Sequence, residues 1–273
     1  MPVPRIHVAA LLRPGLELDL PANAARHVQV LRLQPGAGLT LFDGAGGEWS
    51  ATVLRMGRRE VTAQVLQHSP DERELRCAVT LALGMPANER MDTLVEKATE
   101  LGAAAIQPLV CERSVLRLVG ERAERKSAHW QAIAAAACEQ SGRNRLPDIH
   151  AARAFPDWLA GLASVDAPVA AADTGAATAA DATGVTAQPR GAAHARLLLS
   201  LDAQAPALLS HLQRAKPSRV TLLSGPEGGL SLAEQQAALA HGFIAVSLGP
   251  RVLRAETAPL AALACIAALE GMT

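Results

Sequence analysis

Two short segments near the C-terminus combine glycines with charged and apolar residues in a pattern that could form a binding site. The first, LLSGPEGGLS (222–231), ends an apolar run in a glycine-rich turn that a helix signal follows at once. It lacks the lysine and the spacing of a phosphate-binding loop, Pro226 removes one N–H donor, and Glu227 would repel a phosphate. A purely architectural turn remains an open interpretation at this point.

The second segment, LGPRVLRAETAP (248–259), repeats this layout and adds charged side chains. Arg254 and Glu256 form either a structural ion pair or a contact to a ligand. Open α/β sheets bind ligands at the carboxyl ends of their strands, and we expect both loops to leave neighbouring parallel strands at that edge. Two loops rich in backbone groups, with few charged anchors, favour a neutral purine over a triphosphate.

The elements that must position these loops alternate between strand and helix patterns from residue 76 onward. Strand patterns occupy residues 77–84, 104–110, 195–203, 219–225 and 243–249, with helical segments between them. This alternation predicts an α/β fold with a parallel sheet that is covered on both faces. The last helical segment, APLAALACIAALEG, is apolar nearly all round, which predicts burial, either in the core or against a second subunit.

The N-terminal part of the chain follows a different pattern. Residues 1–70 contain short, near-alternating segments separated by glycines, which predicts a small, mostly β domain of the barrel type. The polar segment 68–75 breaks the pattern, so we expect domains at 1–70 and 75–273. Residues 163–195 are rich in Ala, Thr, Gly and Asp, which predicts a flexible surface insertion without a direct role in chemistry.

Composition excludes several classes of protein. The chain has 273 residues, of which 49% are hydrophobic, and a net charge of zero, which is typical of a globular protein and not of a strongly basic nucleic-acid binder. Aromatic residues make up only 2%, which disfavours a base-stacking platform. Without a membrane-length apolar run or a secretory signal, we expect a cytoplasmic protein with no membrane contact. The cysteines and histidines are scattered, so we expect reduced thiols and no metal site.

Several segments, taken with the two loops, resemble the RsmE family of SPOUT methyltransferases. They follow the family's order over nearly the whole chain: PRIHV (4–8), HVQVLRL (27–33), LFDG (41–44), EKATELG (96–102) and EQSGRNRLP (139–147). The insertion at 163–195 is the main departure. The resemblance implies a PUA-like β-barrel that helps to grip RNA, followed by a trefoil-knotted α/β domain that forms a homodimer. It also implies methylation of N3 of a uridine in 16S ribosomal RNA, with S-adenosylmethionine as the methyl donor.

The resemblance also assigns roles to residues of this chain. The cofactor-binding candidates are Leu199, Ser200, Gly225, Glu227, Gly228, Gly229, Leu248, Gly249, Leu253 and Thr257. Because the uridine N3 must lose its proton, we expect Arg254 to stabilise the developing oxyanions or to orient the uridine. Glu256 would be the base, or the residue that fixes Arg254. The candidates for RNA contact are Arg5, Arg26, Arg32, Arg143 and Arg145.

Two alternatives remain open at the level of sequence. The first is a SPOUT enzyme that acts on another RNA, such as a tRNA or a ribose 2′-hydroxyl. The second is a non-catalytic RNA-binding assembly factor that has kept the fold. This alternative predicts that Arg254 or residues 225–229 have been replaced, and the sequence retains both motifs. A Rossmann-type methyltransferase is disfavoured because no glycine-rich turn follows the first strand of the α/β domain.

Overall fold

The N-terminal part forms a five-stranded sheet with one helix. The computed structural model describes residues 3–58, 60–87, 89–118, 120–165 and 194–271. The strands are β1 (Arg5–His7), β2 (Glu17–Asp19), β3 (Gly38–Phe42), β4 (Glu48–Met56) and β5 (Val61–Ser69), and α1 (Ala22–Val30) follows β2. Their order in the sheet is β1-β3-β4-β5-β2, antiparallel except for the parallel pair β1 and β3. This sheet encloses a hydrophobic core of its own.

The remainder forms a parallel sheet flanked by helices. Its strands are β6 (Ala78–Gly84), β7 (Ala105–Val110), β8 (Asp148–Ile149), β9 (Arg153–Ala154), β10 (His194–Leu199), β11 (Arg219–Ser224) and β12 (Ile244–Val246). The helices are α2 (Glu89–Glu100), α3 (Gly120–Ser141), α4 (Phe155–Val165), α5 (Leu208–Ala215), α6 (Leu232–Ala240) and α7 (Thr257–Gly271). The strand order is β12-β10-β11-β6-β7-β8, with β9 also paired to β7, and every pairing is parallel.

Apolar side chains cover both faces of this sheet. On one face α2, α3, α5 and α7 contribute buried residues such as Met91, Trp130 and Leu263 to the largest core cluster. On the other face α4 and α6 contribute Phe155 and Ala238 to a second cluster. The central strands β6, β7 and β11 are therefore buried on both sides, as their apolar sequences predict.

The order of the last strands corrects one expectation. The two glycine-containing loops leave β11 and β12, which are not neighbours, because β10 lies between them. Leu197 of β10 is paired with Leu222 on one side and with Ile244 on the other. The two loops therefore flank the carboxyl end of β10, and this third strand end becomes part of the region that they enclose.

Most of the segment expected to be a flexible insertion, residues 166–193, lies outside the described residues. Its first three residues complete α4 and its last two begin β10. In the part of the chain that the structure describes, no helix combines the length and the apolar character that crossing a bilayer requires.

A polar network joins the N-terminal sheet to the C-terminal end of α3. Arg143 is 3% exposed; its guanidinium donates to the Thr99 carbonyl (2.7 Å) and to both carboxylate oxygens of Glu74. Arg5 donates to Glu48 (2.6 Å) and to the Asn144 side chain (2.6 Å). These contacts fix the N-terminal sheet against the parallel-sheet unit.

The structure places two of the arginines expected to contact RNA, Arg5 and Arg143, in this network. The side chain of Arg143 is buried and that of Arg5 is only 16% exposed, and both are engaged within the chain. The segment that contains Arg143, EQSGRNRLP, is rich in polar residues, which is typical of an exposed position. Folding instead places its arginine against Glu74 and a helix-terminal carbonyl, where it joins the segment between β5 and β6 to the end of α2.

Candidate functional site

A cavity of about 720 Å³ lies at the carboxyl ends of β10, β11 and β12. Its walls come from the segments 198–202, 224–230, 248–249 and 251–255, with Arg90, Gln235 and Ala258 at the sides. Three strand ends and two loops therefore enclose one space. This is the edge at which open parallel sheets bind their ligands.

The first loop follows β11 and has a tightly fixed backbone. A Cβ added at Gly225 would lie 2.7 Å from the Leu230 nitrogen, so a side chain there would force the loop to move. Gly229 adopts a φ of +68°, which favours glycine, and its N–H donates to the Pro226 carbonyl at 2.8 Å. The helix signal after the loop is a capping box of Ser231 and Glu234, which starts α6 directly after the loop.

Glu227 ties this loop to the start of α2. Its carboxylate accepts a hydrogen bond from the Ala87 N–H (2.9 Å) and one from Arg90 Nη1 (3.1 Å). Burial raises the pKa of the Glu227 carboxyl, but the Ala87 hydrogen bond and the Arg90 charge outweigh it, so the pKa lies below its ordinary value. Glu227, whose negative charge disfavours binding of a phosphate, is therefore ionised and fixes the first loop to the start of α2.

A second anchor holds the loop from the side of β7. Arg113 Nη1 donates to the Gly228 carbonyl at 3.0 Å. Glu234, besides capping α6, accepts a hydrogen bond from the Glu112 N–H at 2.8 Å. The turn after β7 therefore supports the first loop at Gly228 and the helix that follows it at Glu234.

The second loop follows β12 and leads into α7. Gly249 has a φ of +105°, and its N–H donates to Ser247 Oγ at 3.1 Å. The Arg254 carbonyl accepts hydrogen bonds from the N–H groups of Thr257 (2.9 Å) and Ala258 (3.0 Å), which starts α7. The backbone of Arg254 is thus fixed while its exposed side chain lies on the cavity wall.

Glu256 contacts a residue that the sequence did not indicate. Its Oε1 lies 3.9 Å from Arg90 Nε, and its Oε2 is buried without a hydrogen-bond partner among the described residues. The expected pairing of Glu256 with Arg254 is not among the ion pairs of the described chain, where Arg90 takes that place. One guanidinium therefore contacts Glu227 in the first loop and Glu256 in the second.

Nine of the ten expected cofactor-binding residues line this cavity, and Thr257 is the exception. Thr257 is the exposed first residue of α7, next to the lining residue Ala258. Arg254 lines the cavity and Glu256 lies behind its wall. Sequence reasoning missed Arg90 and Arg113; the available signal was that each follows the carboxyl end of a strand of the same sheet.

The remaining arginines expected to contact RNA lie on the surface. Arg26 on α1 and Arg32 after it are exposed. The side chain of Arg145 is 53% exposed and pairs with Glu72 at 3.0 Å. These three side chains keep donors at the surface, in contrast to Arg143.

The lining of the cavity fits a nucleoside-like ligand with an apolar ring and polar ends. Its volume lies within the range of about 300–1,000 Å³ that is usual for small-molecule sites. Leu199, Leu248 and Leu253 supply apolar surface, while the glycines of both loops allow the backbone to approach a ligand closely. Within the described ranges, no group of His, Cys, Asp or Glu side chains is placed to hold a metal ion.

Comparison with known protein families divides the chain into the same two parts. The RNA methyltransferase domain family matches residues 73–267, and the RNA methyltransferase PUA domain family matches residues 20–66. Ribosomal RNA small subunit methyltransferase E from Synechocystis is 36% identical over 242 residues, covering 88% of this chain and 69% of the relative. The protein of the same name from Bacillus subtilis is 30% identical, covering 88% and 84%.

Solved structures show the same relationship in three dimensions. The structure of ribosomal RNA small subunit methyltransferase E from Neisseria gonorrhoeae bound to S-adenosyl methionine is 32% identical, with a TM-score of 0.79 and 98% of both chains covered. A putative methyltransferase from Legionella pneumophila in complex with the same cofactor is 30% identical, with a TM-score of 0.80 and the same coverage.

Proposed function

This chain belongs to the RNA methyltransferase family that includes ribosomal RNA small subunit methyltransferase E, and we propose that it methylates N3 of a uridine in the small-subunit ribosomal RNA. The enzyme class, the use of S-adenosylmethionine and the SPOUT fold with a PUA-like N-terminal domain, all expected from the sequence, are confirmed. The observation that carries the proposal is the cavity between the two loops, with Arg254 on its wall.

We propose that the two loops hold the cofactor mainly through their backbone. When bound, S-adenosylmethionine supplies a methyl group on a positively charged sulfur. The backbone of residues 225–229 and 248–249 would bind its polar groups, while Leu199, Leu248 and Leu253 would contact its adenine. The fixed backbone of both loops favours catalysis because methyl transfer requires alignment of the two reactants.

We propose that Arg254 acts on the uridine. Loss of the N3 proton places negative charge on the uracil oxygens, and a guanidinium directed at them stabilises that charge. Arg254 suits this role because its side chain is exposed on the cavity wall while its backbone is fixed at the start of α7. Glu256 lies behind the wall beside Arg90, so we assign it to positioning and not to proton transfer.

We further infer that the enzyme is a homodimer and acts in the cytoplasm. Helix α7 packs Leu263 and Ile266 into the core, yet its outer side carries the alanines Ala261, Ala264 and Ala268. A surface of small apolar residues favours close contact with a second helix. Sedimentation equilibrium tests this inference, and Ala264→Arg should then shift the protein to the monomer.

A methylation assay on ribosomal RNA tests the proposed function. Small subunits from cells that lack this gene should accept labelled methyl groups, and reverse transcription should stop at one uridine, because an N3 methyl blocks base pairing. Arg254→Ala should lower kcat at least about 100-fold, the scale measured for loss of a group that stabilises an oxyanion. The affinity for S-adenosylmethionine should stay within about threefold.

Arg251→Ala is the matched control, since Arg251 is also exposed on the cavity wall. Its kcat should remain near that of the wild type. Label in tRNA or on a ribose would refute the substrate assignment, and binding of RNA without any methyl transfer would favour an assembly factor.

A further inference from the structure

The first three turns of α3 form a basic surface depression outside the cavity. It has a volume of about 450 Å³ and is lined by Arg122, Arg125, Lys126 and His129. Their spacing of three, four and seven residues places all four side chains on one face of the helix. Every residue that lines the depression therefore carries a positive charge or can acquire one.

A carboxylate of α2 orients two of the basic side chains, Lys126 and His129. Asp92 of α2 lies 2.8 Å from His129 Nε2 and 3.8 Å from Lys126 Nζ, and it also accepts a hydrogen bond from Trp130 Nε1 (2.9 Å). Burial raises the pKa of Asp92, but these hydrogen bonds and charges outweigh it and keep the pKa below its ordinary value. The Asp92 carboxylate is thus ionised and fixed, and it holds Lys126 and His129 in place.

One positive charge remains in excess over the carboxylates of Glu121 and Asp92, and a second is added when His129 is protonated. Arg125 pairs with Glu121 at 2.8 Å, and Lys126 shares Asp92 with His129. Among the described residues, Arg122 has no carboxylate within ion-pair distance. An anion that binds in the depression would gain contacts with Arg122 and with the free N–H groups of its neighbours.

The depression lies on the same edge of the parallel sheet as the cavity. Helices α2 and α3 both begin at this edge, because each follows a parallel strand. Asp92 is two residues from Arg90, which lines the cavity. Arg113, in the turn that leads towards α3, donates to the Gly228 carbonyl in the cavity wall. The start of α3 therefore lies at the edge of the sheet from which a substrate strand would enter the cavity.

We propose that this depression binds phosphates of the RNA strand on one side of the target uridine. Basic side chains bind phosphates regardless of sequence and position a nucleic acid without reading its bases. The chain has no net charge, so attraction to RNA must come from local groups of this kind. This assignment rests on the proposed function, whose RNA substrate it places on the surface.

The double variant Arg122→Gln/Lys126→Gln tests the assignment. The matched control is Arg214→Gln/Lys216→Gln, which removes the same charge from the exposed C-terminal end of α5, at the opposite edge of the sheet. The assay measures kcat/KM for small-subunit RNA between 50 and 200 mM KCl. The slope of log(kcat/KM) against log[salt] is negative, and each lost phosphate contact should make it shallower by about 0.7. The slope of the double variant should therefore be shallower than that of the wild type by about 1.4.

We expect kcat/KM of the variant to fall about tenfold at 200 mM salt and further at 50 mM, with unchanged affinity for S-adenosylmethionine. Arg122→Glu provides a second variant that disturbs no described ion pair, and it should have a larger effect than Arg122→Gln. If both variants behave like the control, the assignment is wrong although the proposed function stands. If the wild type transfers no methyl group to RNA, the proposed function is wrong, and filter binding of ribosomal RNA still tests the depression.

Discussion

Replacing Arg90 with alanine removes the side chain that contacts both loops of the cavity. The variant loses the 3.1 Å contact with Glu227 and the 3.9 Å contact with Glu256, while Glu227 keeps its hydrogen bond from the Ala87 N–H. The Arg90 side chain is 46% exposed, so each contact contributes only about 0.2–1 kcal/mol. If the total of about 1 kcal/mol serves to hold the second loop in its reactive position, kcat should fall about fivefold.

Steady-state kinetics with calorimetry distinguish this positioning role from a purely structural one. We expect kcat to fall while the affinity for S-adenosylmethionine and the melting temperature change little. Arg90→Lys should recover part of the loss, because one ammonium reaches only one of the two carboxylates. The matched control is Arg113→Ala, which removes a support of the first loop without touching the second.

A double-mutant cycle supplies the decisive measurement. Arg90→Ala and Glu256→Gln should be non-additive in kcat, since each removes the same contact. Arg113→Ala and Glu256→Gln should be additive within about 0.3–0.5 kcal/mol. Additivity in the first cycle would refute the idea that Arg90 links the two loops through Glu256.

Three further predictions concern stability and reactivity. Arg143→Met should lower the free energy of unfolding in urea by about 3 kcal/mol, because it leaves the Glu74 carboxylate without its buried partner. Arg145→Met, at a 53% exposed position, should lower it by less than about 1 kcal/mol. Equal losses would contradict a role of Arg143 in packing. Burial raises the pKa of Glu48, but hydrogen bonds from Arg5 and Arg73 outweigh it, so the pKa lies below its ordinary value of 4.5. The ionised Glu48 therefore stabilises the folded protein above pH 4.5, and this stabilisation is lost as the pH falls further. Glu48→Gln should therefore flatten the fall of the melting temperature between pH 5 and pH 3, and an unchanged pH profile would contradict this. Burial raises the pKa of the Cys77 and Cys138 thiols to about 11 and that of Cys111 to about 12. At pH 8 we therefore expect only the half-buried Cys265 to react quickly with a thiol reagent, and the other three to react after unfolding. Two fast thiols would contradict this expectation.

The two loops could be predicted from the sequence because their signals are local. Glycine and proline end an apolar strand, and Ser231 with Glu234 starts the next helix within ten residues. The alternation of strands and helices also predicts that such loops gather at one edge of a parallel sheet. Most of the cavity lining follows from these two signals.

Contacts between distant parts of the chain could not be predicted in this way. Arg90 lies 137 residues before Glu227, and nothing in its own helix pattern distinguishes it from a solvated surface arginine. The position of β10 between β11 and β12 likewise depends on tertiary pairing, because all three strands have similar apolar sequences. The burial of Arg143 could not be predicted for the same reason, since its partner Glu74 is 69 residues earlier.

The contact of Arg5 with Asn144 has a consequence for the selection of the substrate. It holds the N-terminal sheet, whose unit carries the exposed Arg26 and Arg32, against the unit that contains the methyl-transfer cavity. An RNA can therefore bind both the N-terminal arginines and the cavity only if it has two features at the matching separation. We expect a folded ribosomal particle to meet that requirement and a short oligonucleotide around the uridine to fail it.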